Sequence, residues 1–561
     1  MIACHFIALV VIIRQILHYF RFHCTPYNTR INEGRFFHLL LLGTFSFGSI
    51  SSQDIGRLDD FSRFTSDEYS AIVASIDNLD ITAREFLFNY EFGPAFFKRQ
   101  QDSRERYLNI MIYEKLLALD GYARGLNSSP LVQRTLKEIE GDLITEELYK
   151  DDVMSRVSIS EQEIEEGIRK NRDHISIKWL FSKTEEEIIN QKRLLDNSTP
   201  FDSLFAIQIN DSVTIDDRFL ETTRFRLRLN NPDLSVIVDS LTLGMISDPI
   251  EVDLDGWYIF KIVDNWVNPI TTETEWMKER YDTDRAIYKQ KLDYLSDQYV
   301  DNIMLAEDPI IVRTTFNILQ AFIGKSVLSS EKYSTWDLTK YLNSISITLD
   351  PSEVDNYKDT VLIKYESGQV FLTEFIEWYM ARKSYVKLNM SSPEGFFSSL
   401  EQKTWQMLRD KLLIYRAYQR GLHHREVVEI QQQWWEDKVV YSTVKAEIAN
   451  TIEIDEKELL DYYNSNKQSY QYGSGAIIPF EKAKNNVHSD YLKQEYMAKM
   501  YRRIQELKQK YKITINHDVL NNLAMEAEND PQAIDVYTVK TGGTLPRQSF
   551  PTIDWDWQAW F

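Results

Sequence analysis

The chain repeats itself once. The run LLALDGYARGL, Leu116 to Leu126, returns as LLIYRAYQRGL, Leu412 to Leu422, about 296 residues further on. Leu116/Leu412, Leu117/Leu413, Tyr122/Tyr418, Arg124/Arg420, Gly125/Gly421 and Leu126/Leu422 match in one register. Upstream of each copy, a strand-like stretch runs into Glu-Phe: AIVASIDNLDITAREF (Ala71–Phe86) and TVLIKYESGQVFLTEF (Thr360–Phe375). Downstream of each lies an acidic helix start, VSISEQEIEEGIRKN (Val157–Asn171) and IEIDEKELLDYYNSN (Ile452–Asn466). A stack of repeats needs three or more copies to bury its faces, so two copies point to a duplicated domain rather than a solenoid. What lies between the copies should then define the protein's work.

Charge narrows the partners. A net charge of -21 argues against nucleic acid, because phosphate binding needs clustered Lys and Arg. The acidity serves solubility. Both cysteines, Cys4 and Cys24, fall near the start, so thiolate metal sites and cysteine nucleophiles are excluded from the body of the chain. No metal and no cofactor is expected. Arg30 and Arg35 precede the apolar run Phe36–Gly48, which is followed by small residues. A bilayer span needs about 20 apolar residues, so this run fits a signal-peptide core with cleavage near Ser49–Ser52. The earlier run Phe6–Ile13, broken by Arg14, leaves two readings open: an extension of the signal, or part of a membrane anchor.

Periodicity assigns the rest. A short strand is expected at Ala71–Ile76, turning at Asp77-Asn78. Leu108, Ile112, Leu116, Leu119 and Ala123 make one helical stripe, stopped by Gly125 in a left-handed conformation. Ser160 and Glu163 form a capping box opening the next helix. ISIKWLF (Ile175–Phe181), a charged helix at Thr184–Leu195, a helical turn at Phe201 and the run LGMISDPIEVDLDGWYIFKIVD make a compact α+β unit. Long helices follow at Thr271–Asn302 and Lys482–Tyr511, and KITIN (Lys512–Asn516) reads as a strand closing on Val73–Ile76 or on Val361–Tyr365.

Between Ile177 and Asp264 the pieces WLFSKTEEEI, PFDSLFAIQINDS and LTLGMISDPIEVDLDGWYIFKIVD resemble a parvulin-type (PpiC) peptidyl-prolyl isomerase domain. With the flanking helices and the late KYKITIN, most of the chain after Ala71 resembles SurA-like and PrsA-like exported folding factors. The resemblance implies an apolar pocket for a proline ring above a floor of two histidines. Carried over by position, the first-strand histidine is Lys178, the histidine after Gly-Trp is Tyr258, and the pocket pair is Asn230 and Leu234. The glycine-rich loop has no counterpart, since no glycine lies between Gly167 and Gly244. A charged lysine cannot accept a hydrogen bond. The isomerase site is therefore expected to be degenerate, with negligible turnover of short X–Pro peptides.

The expected fold is multi-domain and α-rich, with two duplicated helical chaperone-like lobes flanking one small α+β parvulin-like domain. The divisions are a targeting segment at 1–51, a helical lobe at 71–172, the parvulin-like domain at 173–265 and a helical connector at 266–355. A second lobe at 356–475, a helix and closing strand at 476–520 and a polar tail at 521–561 follow. The resemblance implies a periplasmic or envelope chaperone whose partners are unfolded or nascent envelope and outer-membrane proteins. Its client-binding candidates, by helical placement, are Tyr113, Tyr122, Trp378, Tyr379 and Tyr418. Two alternatives stay open: an active prolyl isomerase using Lys178, Asp211 and Tyr258, and a non-catalytic envelope scaffold with WDWQAWF as a docking tag.

Overall fold

The computed structural model describes residues 67–99, 102–210, 213–252, 256–338, 360–383, 386–473, 475–524, 539–540, 547–548 and 550–560. The targeting segment 1–51, Asp211 and much of the polar tail lie outside them. No described helix is long and apolar enough to cross a membrane.

The first copy opens with a hairpin, β1 (Ile72–Ile76) and β2 (Leu79–Thr82), whose turn holds Asp77 at φ 49°. Thr82 ends the strand and caps α1 (Ala83–Glu91) through its hydroxyl. Next come α2 (Ser103–Ala123) and α3 (Pro130–Asp152). Between them Gly125 sits at φ 72°, the left-handed stop that only glycine adopts without strain. The capping box of Ser160 and Glu163 opens α4 (Glu161–Arg172).

The α+β unit follows without a break. Its strands are β3 (Asp173–Ser182), β4 (Phe219–Thr223), β5 (Ile250–Val252) and β6 (Gly256–Val267). They form a four-stranded antiparallel sheet in the order β4-β3-β6-β5. Helices α5 (Glu185–Asp196) and α6 (Phe201–Gln208) supply Ile188, Phe201 and Phe205 to one face, where Leu180 and Ile259 point. Helices α7 (Arg224–Asn230) and α8 (Pro232–Asp239) cover the other with Leu227, Leu234 and Val238, over Ile175, Ile177, Tyr258, Phe260 and Ile262. Alternation along β3 and β6 sends neighbouring side chains to opposite faces, which builds the two cores. The chain leaves through α9 (Glu273–Ala306), β7 (Ile310–Ile311) and α10 (Arg313–Val327).

The second copy reproduces the order of the first. It runs β8 (Val361–Tyr365), β9 (Gly368–Phe371), α11 (Leu372–Arg382), α12 (Pro393–Gln419), a left-handed Gly421 at φ 68° and α13 (Glu426–Asn450). Asp455 and Glu458 repeat the capping box at α14 (Glu456–Ser465). Only the short stretch Asn466–Pro479 then separates α14 from α15 (Phe480–Lys510), which is followed by β10 (Ile513–Ile515) and α16 (His517–Asn522).

Contacts group these elements into two compact units, and both draw on both copies. One unit spans Tyr149–Phe375 and Leu388–Arg409. It holds the α+β sheet and a second sheet in the order β7-β8-β9. There the strand that follows the first copy pairs antiparallel with the hairpin of the second. The other unit takes its described residues from Thr44–Leu148, Ile376–Lys387 and Asp410–Phe561. Its sheet is ordered β10-β1-β2, with Ala74 opposite Ile515 and Ile76 opposite Ile513. KITIN thus closes on Val73–Ile76, the first of the two pairings open from sequence. In the same unit α13 packs on α2, where a side chain at Gly121 would overlap Val440. The core beneath the sheet joins Val73, Phe86, Tyr107 and Leu116 to Tyr441, Val444, Ile504 and Trp557.

Candidate functional site

The α+β sheet separates the residues that the resemblance placed together. Lys178 lies on β3 on the face of Leu180, opposite Lys261 in register, and its ammonium is 3.1 Å from Asp202 and 4.9 Å from the Phe205 ring. The hydrogen bond from Lys178 holds the Asp202 carboxyl below the ordinary aspartate value. Tyr258 projects to the opposite face. It is 3% exposed, stacked parallel on Phe260 and packed near Phe181. Leu234 packs into the same cluster as Tyr258, while Asn230 ends α7 exposed to solvent. These four positions form no single pocket: two are core, one is half of a surface ion pair and one is solvated.

The five aromatic candidates also pack within the chain. Trp378 and Tyr379 are buried, and the Arg382 guanidinium lies 4.6 Å from the Trp378 ring. Tyr122 donates to Asp437 at 2.6 Å. Tyr418 stands beside His423, and burial with nearby Glu140 pushes its hydroxyl up to about 12. Tyr113 carries the Lys508 ammonium 4.3 Å from its ring and lies against Trp557.

That last contact leads to an arrangement with no strong sequence signal. In the unit built on α2 and α13, the segment Phe550–Trp557 runs as irregular chain into a short 3-10 helix at Trp555–Trp560. Phe550 sits 4.7 Å, ring to ring, from both Phe88 and Phe92, in a cluster that includes Trp434. Asn89 grips the segment's main chain from two sides. Its Nδ2 donates to the Pro551 carbonyl at 2.8 Å and its Oδ1 accepts from the Ile553 amide at 3.1 Å. Tyr107 fixes Asn89 in turn, donating to both its carbonyl and its Oδ1. Glu114 Oε1 accepts the Asp554 amide at 2.9 Å and the Trp557 indole N–H at 2.8 Å.

Charge completes the site. Lys438 bridges Glu114 at 2.7 Å and Asp554 at 2.8 Å. Lys445 bridges Asp554 and Asp556, both at 2.6 Å, and the Tyr441 hydroxyl donates to Asp554 at 2.8 Å. Burial works against an ionised Asp554, but the two lysines outweigh it and hold its carboxyl well below the ordinary value. Burial dominates at Glu114 and raises it, despite Lys438. A cavity of about 30 Å³ lies behind the segment, lined by Glu85, Asn89, Lys115 and Asp437 among others. The sequence signal that could have found this site is the pair of lysines, Lys438 and Lys445, seven residues apart and so on one face of α13, facing the acidic DWD run.

No group of three or more His, Cys, Asp or Glu side chains suited to a metal ion occurs among the described residues. No family model and no curated protein matches the chain. Among solved structures it is similar to a peptidylprolyl isomerase (PrsA) from Bacillus cereus, at 14% identity, covering 52% of this chain and 98% of that chain, with a TM-score of 0.23. A second such isomerase, from Bacillus anthracis, matches at 16% identity over 34% of this chain and 96% of that chain, TM-score 0.20. A third match comes from the description of PEB4 and Cj1289 as structurally related SurA-like chaperones of Campylobacter jejuni, at 16% identity over 42% of this chain and 97% of that chain, TM-score 0.20.

Proposed function

We propose that the chain is an exported folding factor of the SurA/PrsA-like kind, acting as an ATP-independent chaperone for unfolded envelope proteins, with a parvulin-like domain that has lost its isomerase site. The observation that carries this reading is the position of Lys178 and Tyr258 on opposite faces of one sheet, each already satisfied by packing or ion pairing. A catalyst of proline isomerisation must favour a twisted amide over a planar one behind a barrier of about 18–20 kcal/mol. That requires polar groups converging on one point, and the two faces diverge.

The same reading interprets the architecture as a duplication. The first copy carries the α+β unit between α4 and α9, and the second carries only Asn466–Pro479 between α14 and α15. The second copy is then a chaperone repeat from which the isomerase domain is missing. Client surface is supported by α9, where Trp276 and Tyr294 are 43% and 61% exposed. Five turns separate them, so they share a face about 27 Å long.

The test uses purified chain lacking the residues before Ser52. It should suppress aggregation of an unfolded outer-membrane-type protein at near-stoichiometric ratio without ATP, and show no turnover of a short X–Pro peptide in a protease-coupled assay. Isomerase activity lost on Tyr258→Ala or Lys178→Ala would transfer the assignment to the enzyme reading. Failure to suppress aggregation would favour the scaffold.

A further inference from the structure

We propose that the groove holding Phe550–Trp557 is a peptide-binding site for client chains, and that the protein's own segment is its resident, displaceable occupant. The partner it fits is an extended stretch of unfolded protein with two aromatic side chains about seven residues apart and an acidic residue between them. The identification of that partner as a client rests on the folding-factor reading; the groove itself does not.

The contacts are those of a peptide reader. Asn89 and Glu114 bind main-chain groups of residues 551, 553 and 554, which every polypeptide presents, so this part of the grip is independent of sequence. Pairing of a side-chain amide with both a carbonyl and an N–H imitates strand addition, the usual means of capturing extended chains. Selectivity comes from three places. The Phe88, Phe92 and Trp434 rings receive an aromatic side chain. The indole of Trp557 is 2% exposed and directs its N–H at Glu114. Lys438 and Lys445 receive a carboxylate and have no acidic partner from α13 itself among their described ion pairs apart from the segment and Glu114.

Buried side chains make the groove a built site rather than a surface accident. Glu114 is 8% exposed and Asn89 9%. If the segment left with nothing to replace it, their polar atoms would exchange its main-chain groups for water and the Phe88, Phe92 and Trp434 rings would be exposed, which is costly. The site therefore favours exchange of one occupant for another. An occupant on the same chain competes at an effective concentration rather than a free one, so it sets a threshold that only dense or well-matched client sequence overcomes.

The experiment keeps the chain full length. Asp554→Lys with Trp557→Glu sets a lysine against Lys438 and Lys445 and a carboxylate against Glu114, which expels the segment while leaving the groove intact. A labelled peptide with the sequence of Phe550–Phe561 is titrated by fluorescence anisotropy. We expect binding to the released variant at least about tenfold tighter than to the parent chain, lost again when Asn89→Ala or Lys445→Glu is added. Equal, undetectable binding to both chains, with circular dichroism showing the variant folded, overturns the proposal and leaves the segment a fixed part of the core. Dimerisation of the parent chain through exchanged segments, seen as a doubled mass that the released variant lacks, also overturns it. Aggregation suppression is read in parallel: peptide binding without suppression refutes the folding-factor reading alone, and suppression unchanged by release refutes the groove's role alone.

Discussion

Lys115→Met should be among the most damaging single changes in the unit built on α2 and α13. The Lys115 ammonium lies between Glu85, at 2.6 Å, and Asp437, and these side chains are only 5–8% exposed. Removing the cation leaves two buried carboxylates facing each other, with the Tyr122 hydroxyl and, at 3.4 Å, the Gln433 amide still donating to Asp437. Breaking a buried pair from one side costs about 3–5 kcal/mol, against a total stability of about 5–15 kcal/mol for a domain. At roughly 2–4 °C per kcal/mol for a unit of this size, the melting temperature of that unit should fall by about 6–20 °C. Glu85→Gln leaves a one-to-one pair and should cost about 1 kcal/mol or less. The loss should also depend on pH. Burial already raises Glu85 above its ordinary value of 4.5, and without Lys115 it rises further. A carboxyl raised in the folded state contributes stability below the unfolded value that is lost as pH rises through the folded one. The gap between parent and Lys115→Met should therefore narrow toward pH 4.5 and widen toward neutrality. Thermal melts by circular dichroism across that range decide it. A drop under about 2 °C, or one equal at both ends of the range, would refute the buried triad as a stabilising link.

Three further outcomes follow from the same geometry. Tyr258→Ala empties a buried aromatic site and should destabilise the α+β unit by about 3–5 kcal/mol, whereas Lys178→Met removes a partly exposed pair and should change stability by under about 1 kcal/mol, both read by chemical denaturation. Ser160→Ala removes one half of the capping box and should cost about 1 kcal/mol. The hydrogen bond from Lys291, with those from Ser160, depresses Glu163 to about 2, so its contribution is full above 4.5 and lost as pH falls toward 2, which an acid titration of the α4 helix signal checks. Cutting the chain within 339–355 should give two fragments that gain strand and helix signal by circular dichroism when mixed, because the β7-β8-β9 and β10-β1-β2 sheets each take strands from both sides of the cut while the α+β sheet lies wholly in the first fragment; no gain on mixing would sink that expectation.

Much of the local structure was legible because it is written in local chemistry. Gly125 and Gly421 end helices where a left-handed residue is needed, and Ser160 and Glu163 announce a helix start. KITIN was readable as a strand, and its partner was narrowed to two hairpins, but nothing in three β-prone residues distinguishes one hairpin from another. That choice depends on where α15 delivers the strand, a tertiary matter. The site residues were less legible for the same reason. Positional carry-over placed Lys178 and Tyr258 in one pocket because it follows the order of residues along strands. The faces follow register: in β3 and β6 residues 178 and 258 fall on opposite phases of the alternation once Lys178 pairs with Lys261. Asn89, Glu114 and Asp554 were invisible because their meaning arises only when helices α1, α2 and α13 and a segment over a hundred residues further along the chain come together.

Under the proposed duplication, the exchange of closing strands bears on how the second copy keeps its frame without an inserted domain. In each copy the α+β insertion point lies between an acidic-capped helix, α4 or α14, and a long helix, α9 or α15, that ends in a closing strand. The closing strand pairs with the hairpin of the other copy, so its placement depends on the long helix reaching that hairpin. In the first copy the two strands that border the insertion, β3 and β6, pair along their whole length, with Asp173 opposite Val267, so the chain returns beside the point where it left. An insertion whose ends meet adds no displacement between α4 and α9. The short turn Asn466–Pro479, held by Tyr470 bonding to Asp490 and Tyr463 to the Ile478 carbonyl, performs the same return in the second copy. Under the proposed duplication the domain would be dispensable to the scaffold, and the pressure to keep a catalytic floor would be separate from the pressure to keep the fold. On that proposal, a sheet with both cores intact and Lys178 and Tyr258 on opposite faces is the state such a separation would produce.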